Sequence, residues 1–186
     1  MSEQPITSGR RQLLWILLVA AASFGGAYAL YYAAPSIGSW GTTNHGEFVD
    51  PPVAVEALEL TDAAGTPFTP SRTWGLWVVQ PARCDVACDR ALHRLRQVHE
   101  LLNRDAPRVR RALVGPASIA PGPIADGALA ARYPGLEFLT GRIAGLDPGL
   151  YIVDPLGNLV LRYPLGAAGK SVLDDLKRLL KVSQIG

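Results

Sequence analysis

The sequence predicts an α/β domain, a mixed β-sheet flanked by helices, preceded by one N-terminal transmembrane helix. Three observations carry this. An apolar run without a charge, from Leu13 to Ala34, follows Arg10 and Arg11. The β-rich run WGLWVVQ (74–80) leads at once into a helical pattern over 85–104 and then into a second apolar run, RRALVG (110–115). Last, GLYIVDPLGNLVLRYP (149–164) reads as a hairpin and is followed by the amphipathic segment KSVLDDLKRLLKV (170–182). A strand–helix–strand crossover followed by an antiparallel hairpin and a helix is a mixed sheet, with helices expected on both faces.

The chain divides into residues 1–12, an anchor at 13–34, a linker at 35–52 and one domain at 53–186. About 20 apolar residues span a hydrocarbon core. With Arg10 and Arg11 before the run and Glu47 the next charge, the positive-inside rule places 1–12 in the cytoplasm and the rest outside. Tyr28, Tyr31 and Tyr32 suit an interfacial belt. A cleaved signal peptide ending at Ala27-Tyr28-Ala29 is the competing reading, and both readings export the domain. The linker is rich in Gly, Pro, Ser and Thr.

Within the domain, VAVEALEL (53–60) reads as a strand that turns at Asp62-Ala63-Ala64-Gly65 toward a partner beginning at Pro67-Phe68. WGLWVVQ reads as a strand buried on both faces. Leu92, Leu95, His99 and Leu102 recur at helical spacing. Residues 123–132 read as a short helix after a Pro-rich loop (116–123), and LEFLT (136–140) as a strand. Asp154-Pro155-Leu156-Gly157-Asn158 is the hairpin turn. Val172, Leu173, Leu176, Leu179 and Leu180 mark the core side of the closing helix.

Net charge is +2, from 18 basic and 16 acidic residues. With no basic stripe visible in the sequence, nucleic acid is excluded as a partner. No phosphate loop, Ser-His-Asp pattern or paired-carboxylate site is present. The chemistry concentrates instead in the only two cysteines, Cys84 and Cys88, at the junction of the buried strand and its helix. Exported thiols tend to be oxidised. A structural disulfide gains most by closing a long loop, and this pair closes almost none, so a redox pair or a soft-metal site is the better reading. The helix N-terminus favours a thiolate there. Arg83 and Arg90 assist it, and Asp85 and Asp89 oppose it. On a regular helix, i and i+4 Cβ atoms lie ~5–6 Å apart, against ~3.5–4.5 Å in a disulfide. A bridge therefore requires Cys84 to leave helical geometry or the turn to distort, and the expected bond is strained and easily reduced. The same gap suits two thiolates gripping Cu(I). His93 points around the helix from Cys88, His99 reads as a core histidine, His45 falls in the linker, and Trp74 and Trp77 read as core.

The order of elements and three stretches together resemble the thioredoxin-like superfamily, and within it the Sco/SenC copper-delivery proteins of cytochrome c oxidase assembly. LELTDAAGTPF (58–68) resembles that family's opening hairpin. LWVVQPARCDVAC (76–88) resembles its strand leading to Cys-x-x-x-Cys. LYIVDPLGNLVLRYP (150–164) is similar to the hairpin shared with TlpA-type thiol oxidoreductases. The resemblance implies a single-pass inner-membrane protein with a periplasmic domain. It also implies Cys84 and Cys88 as the active pair, and oxidase subunits or copper chaperones as partners. The family's copper histidine would fall at Leu146, and no histidine follows His99. Pro148 instead stands where thioredoxin and TlpA-type proteins place the cis-proline facing their cysteines. The implied activity is thiol–disulfide exchange through Cys84, Cys88 and Pro148. Cu(I) carriage by Cys84 and Cys88, and a non-catalytic assembly role, remain the alternatives.

Overall fold

The computed structural model describes residues 7–37, 43–116 and 127–183. The chain falls into two units, residues 1–43 and 44–186. Helix α1 (Thr7–Ile37) makes up the described part of the first. Its segment Gly9–Ala33 has a mean hydropathy of 2.0 and no buried part. At ~1.5 Å per residue it is long and apolar enough to cross a bilayer.

The second unit holds strands β1 (Glu47–Ala54), β2 (Trp74–Val79), β3 (Val109–Pro116), β4 (Leu136–Gly141), β5 (Gly149–Val153) and β6 (Asn158–Tyr163). Its helices are α2 (Val86–Glu100), α3 (Gly127–Arg132) and α4 (Gly169–Val182). The strands form one sheet in the order β1-β6-β5-β2-β3-β4. β2 runs parallel to β3, and β3 to β4. β5 is antiparallel to β2 and β6, and β6 to β1. The mixed sheet is therefore as the sequence predicts, with WGLWVV at its centre and every residue of that strand buried.

The pleat sends alternate residues to opposite sides. Trp74, Leu76 and Val78 enter one apolar cluster with Leu92, Leu95 and Val98 of α2, Val172, Leu176 and Leu180 of α4, and Leu129 of α3. Trp77 and Val79 enter the other, with Val55, Leu58, Leu60 and Ile143. The expectation of helices on both faces is not met among the described residues, where α2, α3 and α4 share one face. Strands β2, β3 and β4 step across the sheet in one direction through successive crossovers of the same hand, so both crossovers lie on the same side. The opposite face is covered by a 3-10 turn, Val55–Leu58, and by the loops around it.

Two sequence expectations need further correction. VAVEALEL is a strand only to Ala54; Val55 and Leu58 then point inward at the i,i+3 spacing of a 3-10 helix. Its partner at Pro67 makes only an isolated bridge to Thr61, although the Asp62–Gly65 turn forms, with the Asp62 carboxylate accepting from Ala64 and Thr66 N–H. The linker read over 35–52 is not irregular to its end, because β1 begins at Glu47. Its Pro51-Pro52 are tolerated because β1 is an edge strand whose register breaks between Phe48 and Val53. The Pro-rich loop beyond Pro116, the start of the helix expected at 123, residues 1–6 and residues 38–42 lie outside the described residues.

A clasp ties the start of the unit to α4. Asp175 is 2% exposed. Its carboxylate accepts from the Tyr163 hydroxyl at 2.7 Å, from the backbone N–H of His45 at 2.7 Å and of Gly46 at 3.0 Å, and pairs with His45 Nδ1 at 3.1 Å. Gly46 is required there, since a Cβ would lie 2.5 Å from Tyr163 Cζ. Burial pushes the Asp175 carboxyl up, but the hydrogen bonds from Tyr163, Gly46 and His45 outweigh it and hold the group below its ordinary range. The Tyr163 hydroxyl is raised, by burial first and then by Asp175.

Candidate functional site

β2 ends at Val79, and the chain loops through Pro81, Ala82 and Arg83, all exposed, to Cys84. Asp85 caps α2: its backbone is extended, and its carboxylate accepts from Cys88 N–H at 2.9 Å. This places Cys84 outside the helix and Cys88 in its first turn. The two are joined as a disulfide with a Cα–Cα separation of 5.2 Å, within the ordinary range for such bonds. Cys84 thus leaves helical geometry, one of the two ways in which the bridge could close, because the Asp85 cap turns it off the helix.

The two sulfurs differ in access. Cys88 is 0% exposed and packs in the core with Leu92 and Val78, whereas Cys84 is half-buried at its margin. Exposed Val86 and Ala87 flank the bridge. Asp89 does not face the pair as a free charge. Its carboxylate accepts from Arg132 at 3.0 Å and from the Tyr133 hydroxyl at 3.0 Å. The Asp85 carboxylate, which has no ion-pair partner among the described residues, occupies the Cys88 N–H, a donor that would otherwise be open to a thiolate.

Pro148 lies at the same end of the sheet. The following residue, Gly149, pairs with Val79, the last residue of β2. Tyr151 holds the loop by donating its hydroxyl to the Asp147 carbonyl at 2.9 Å. Pro148 is exposed, and its peptide bond is trans, the cis bond among the described residues being Asp50–Pro51. It is thus brought near the cysteine loop by register, without the cis geometry of the proline whose position it shares.

The remaining candidates sort by their contacts. His99 donates Nε2–H to the carbonyls of Ala106 and Val109 at 3.1 and 2.9 Å, which makes it structural. His93 is exposed on α2. His45 belongs to the Asp175 clasp. Trp74 and Trp77 are core, on opposite faces of β2. Leu146, where the resemblance would put a copper histidine, packs against the apolar cluster below the sheet. Among the described residues, no group of three or more His, Cys, Asp or Glu is placed to hold a metal ion. Sequence reasoning missed the clasp; the signal was there, a carboxylate at position 175 inside the apolar stripe of Val172, Leu176 and Leu179.

Asp85→Asn keeps the cap, since both residues serve as N-caps, but removes the charge. With the negative charge gone and the cap bond kept, a thiolate at the helix N-terminus meets less repulsion, which stabilises the reduced form and raises the reduction potential. Each pKa unit lost by the thiol corresponds to ~30 mV. A rise of that order is expected in a glutathione titration of the full chain in detergent; an unchanged or lower potential would remove Asp85 from the control of the pair.

A family model described as transmembrane-like, thioredoxin-like, C-terminal domain matches residues 74–183. Among solved structures, apo Sco1 from Thermus thermophilus is 21% identical with a TM-score of 0.59, covering 76% of this chain and 99% of its own. Copper-bound ScoI from Arabidopsis thaliana is 14% identical with a TM-score of 0.57, covering 74% and 99%. BsSco, described by a disulfide switch in a member of the Sco family of cytochrome c oxidase assembly proteins, is 15% identical with a TM-score of 0.52, covering 77% and 99%. At these identities the likeness is one of fold. No protein in the curated set matches the sequence. The domain built on β2, the Cys84–Cys88 loop and α2 therefore belongs to the transmembrane-like, thioredoxin-like family, of which residues 74–183 are the C-terminal domain.

Proposed function

We propose that the protein is a membrane-anchored thiol–disulfide exchange protein that acts in cytochrome c oxidase assembly, on the copper-site cysteines of an oxidase subunit or a copper chaperone. The observation that carries the exchange chemistry is the Cys84–Cys88 bridge with one reachable and one buried sulfur. The reduced pair would work in two steps. The Cys84 thiolate attacks a partner disulfide, and one partner sulfur leaves as a thiolate and takes a proton. The Cys88 thiolate then attacks Cys84, closes the bridge and releases the second partner thiol, so that two electrons pass to the partner. A dithiol donor must return them. Pro148, at the end of the sheet where the partner chain would lie, would position that chain. The oxidase pathway is supported by the fold shared with Sco proteins. In this reading α1 is an uncleaved inner-membrane anchor with its N-terminus in the cytoplasm, and the domain is periplasmic.

Carriage of Cu(I) is the second reading, favoured by the copper-bound neighbours of this fold. The residues present offer two thiolates once the bridge is reduced, which suits Cu(I), but no imidazole from position 146, which disfavours a stable Cu(II) complex. A glutathione titration of the full chain in non-ionic detergent, read by the mass of alkylated thiols, tests the first reading. A reversible two-thiol transition is expected. A pair that stays reduced in oxidising buffer while binding Cu(I) would replace exchange by copper carriage.

A further inference from the structure

Asp89, Arg90, His93 and Arg94 of α2, with Arg132 and Tyr133, line an open groove of about 430 Å³. It begins one residue beyond Cys88. Arg90, His93 and Arg94 stand at i, i+3 and i+4 of α2 and so share one face of the helix; Arg132, at the end of α3, comes from the other side. The sequence hides this grouping, because 132 is far from 90 along the chain.

Its charge is only partly cancelled: Arg132 is paired with Asp89, while Arg90 and Arg94 meet no acid in the lining. Asp89 is the acid in the lining, and it is taken by Arg132 and Tyr133. The Arg94 guanidinium donates to the carbonyls of Ala167 at 2.7 Å and Arg90 at 3.3 Å, which hold it in place without neutralising it. The Arg90 guanidinium has no hydrogen-bond or ion-pair partner among the described residues. With 18 basic against 16 acidic residues in the chain, the positive field is a local feature of this groove. Planar guanidinium groups match carboxylates in bidentate geometry, and complementary charge at a rim speeds encounter and fixes register.

We propose that this groove docks an acidic segment of the partner protein and so delivers the partner's sulfurs to Cys84. The proposal deepens the exchange reading and rests on it for the purpose of docking, but docking itself needs no exchange. A protein segment is favoured over a lipid headgroup because the groove starts on the same helix as Cys88, one residue beyond it, and a partner chain must approach that bridge.

The test uses the reduced full-length protein in non-ionic detergent and two synthetic disulfide peptides that differ only in flanking residues, glutamates in one and glutamines in the other. The glutamate peptide is expected to be reduced roughly tenfold faster at low salt, an advantage erased by high salt. Arg90→Glu with His93→Glu should abolish the preference, while Lys177→Glu, exposed on α4, leaves it intact. Equal rates for the two peptides, or a preference that survives the double reversal, overturn the proposal. If neither peptide reacts, the exchange reading fails, and docking is judged by fluorescence anisotropy of a cysteine-free glutamate peptide on the oxidised protein. Binding that the double reversal weakens supports the groove, and no binding overturns it. A water-soluble phosphatidylglycerol that binds the groove where the peptide does not would make it a headgroup site and also overturn the proposal.

Discussion

Asp175→Ala is expected to lower the unfolding midpoint of the domain by about 10 °C. The substitution strands the Tyr163 hydroxyl and the N–H groups of His45 and Gly46, which now converge on one carboxylate. Leaving buried donors unpaired costs ~1–3 kcal/mol each, offset where the chain end frees itself into water, so a net loss of about 3 kcal/mol is reasonable. For a domain of this size that corresponds to roughly 3–4 °C per kcal/mol. Tyr163→Phe removes one donor and leaves the carboxylate, and should cost about 1 kcal/mol. The acid limb adds an independent reading. The folded Asp175 carboxyl lies below its unfolded value, so its stabilisation is complete above about pH 4, the unfolded value, and is lost as pH falls through the folded one. Tyr163→Phe weakens the holding of the carboxylate and should move that limb to higher pH. Melting of the full chain in detergent, followed by circular dichroism across pH 2–7, gives both. A midpoint for Asp175→Ala within 2 °C of the parent would mean that the clasp is incidental to stability.

The same cluster marks where sequence reading stops. Periodicity reports which side of a helix is apolar, and it placed Val172, Leu176 and Leu180 correctly. It cannot say what a lone carboxylate inside that stripe meets, because the answer, His45, is 130 positions away. The central strand was legible because a run buried on both faces needs no polar alternation, as the β2 residues bear out. The hairpin was legible because Asp154 satisfies its own turn, accepting from Leu156 and Asn158. β1 was not, since its prolines and flanking glycine imitate a linker and only its pairing to β6 makes it a strand. The side of the sheet taken by the described helices was misjudged, because it depends on strand order, which local pattern does not carry.

The cysteine pair was legible as chemistry, yet the division of labour between its members comes from burial. Cys88→Ser should leave a single reachable thiol at Cys84 and trap a partner on it as a stable mixed disulfide. Cys84→Ser should leave only Cys88, 0% exposed in the apolar core, and form adducts at least about tenfold more slowly, since exchange requires access to the attacking sulfur. Both variants lose the same cross-link. For so short a loop that costs roughly 2 kcal/mol by chain entropy, so stability changes alike in the two and cannot account for a difference between them. The measurement is the rate of adduct formation with glutathione disulfide, followed by mass on each full-length variant in detergent. Faster capture by Cys88 than by Cys84 would reverse the assignment. It would also require the first turn of α2 to open before reaction, which the Asp85 cap on Cys88 N–H resists. Capture by neither thiol would deprive the bridge of any exchange role and leave the fold as a platform for assembly.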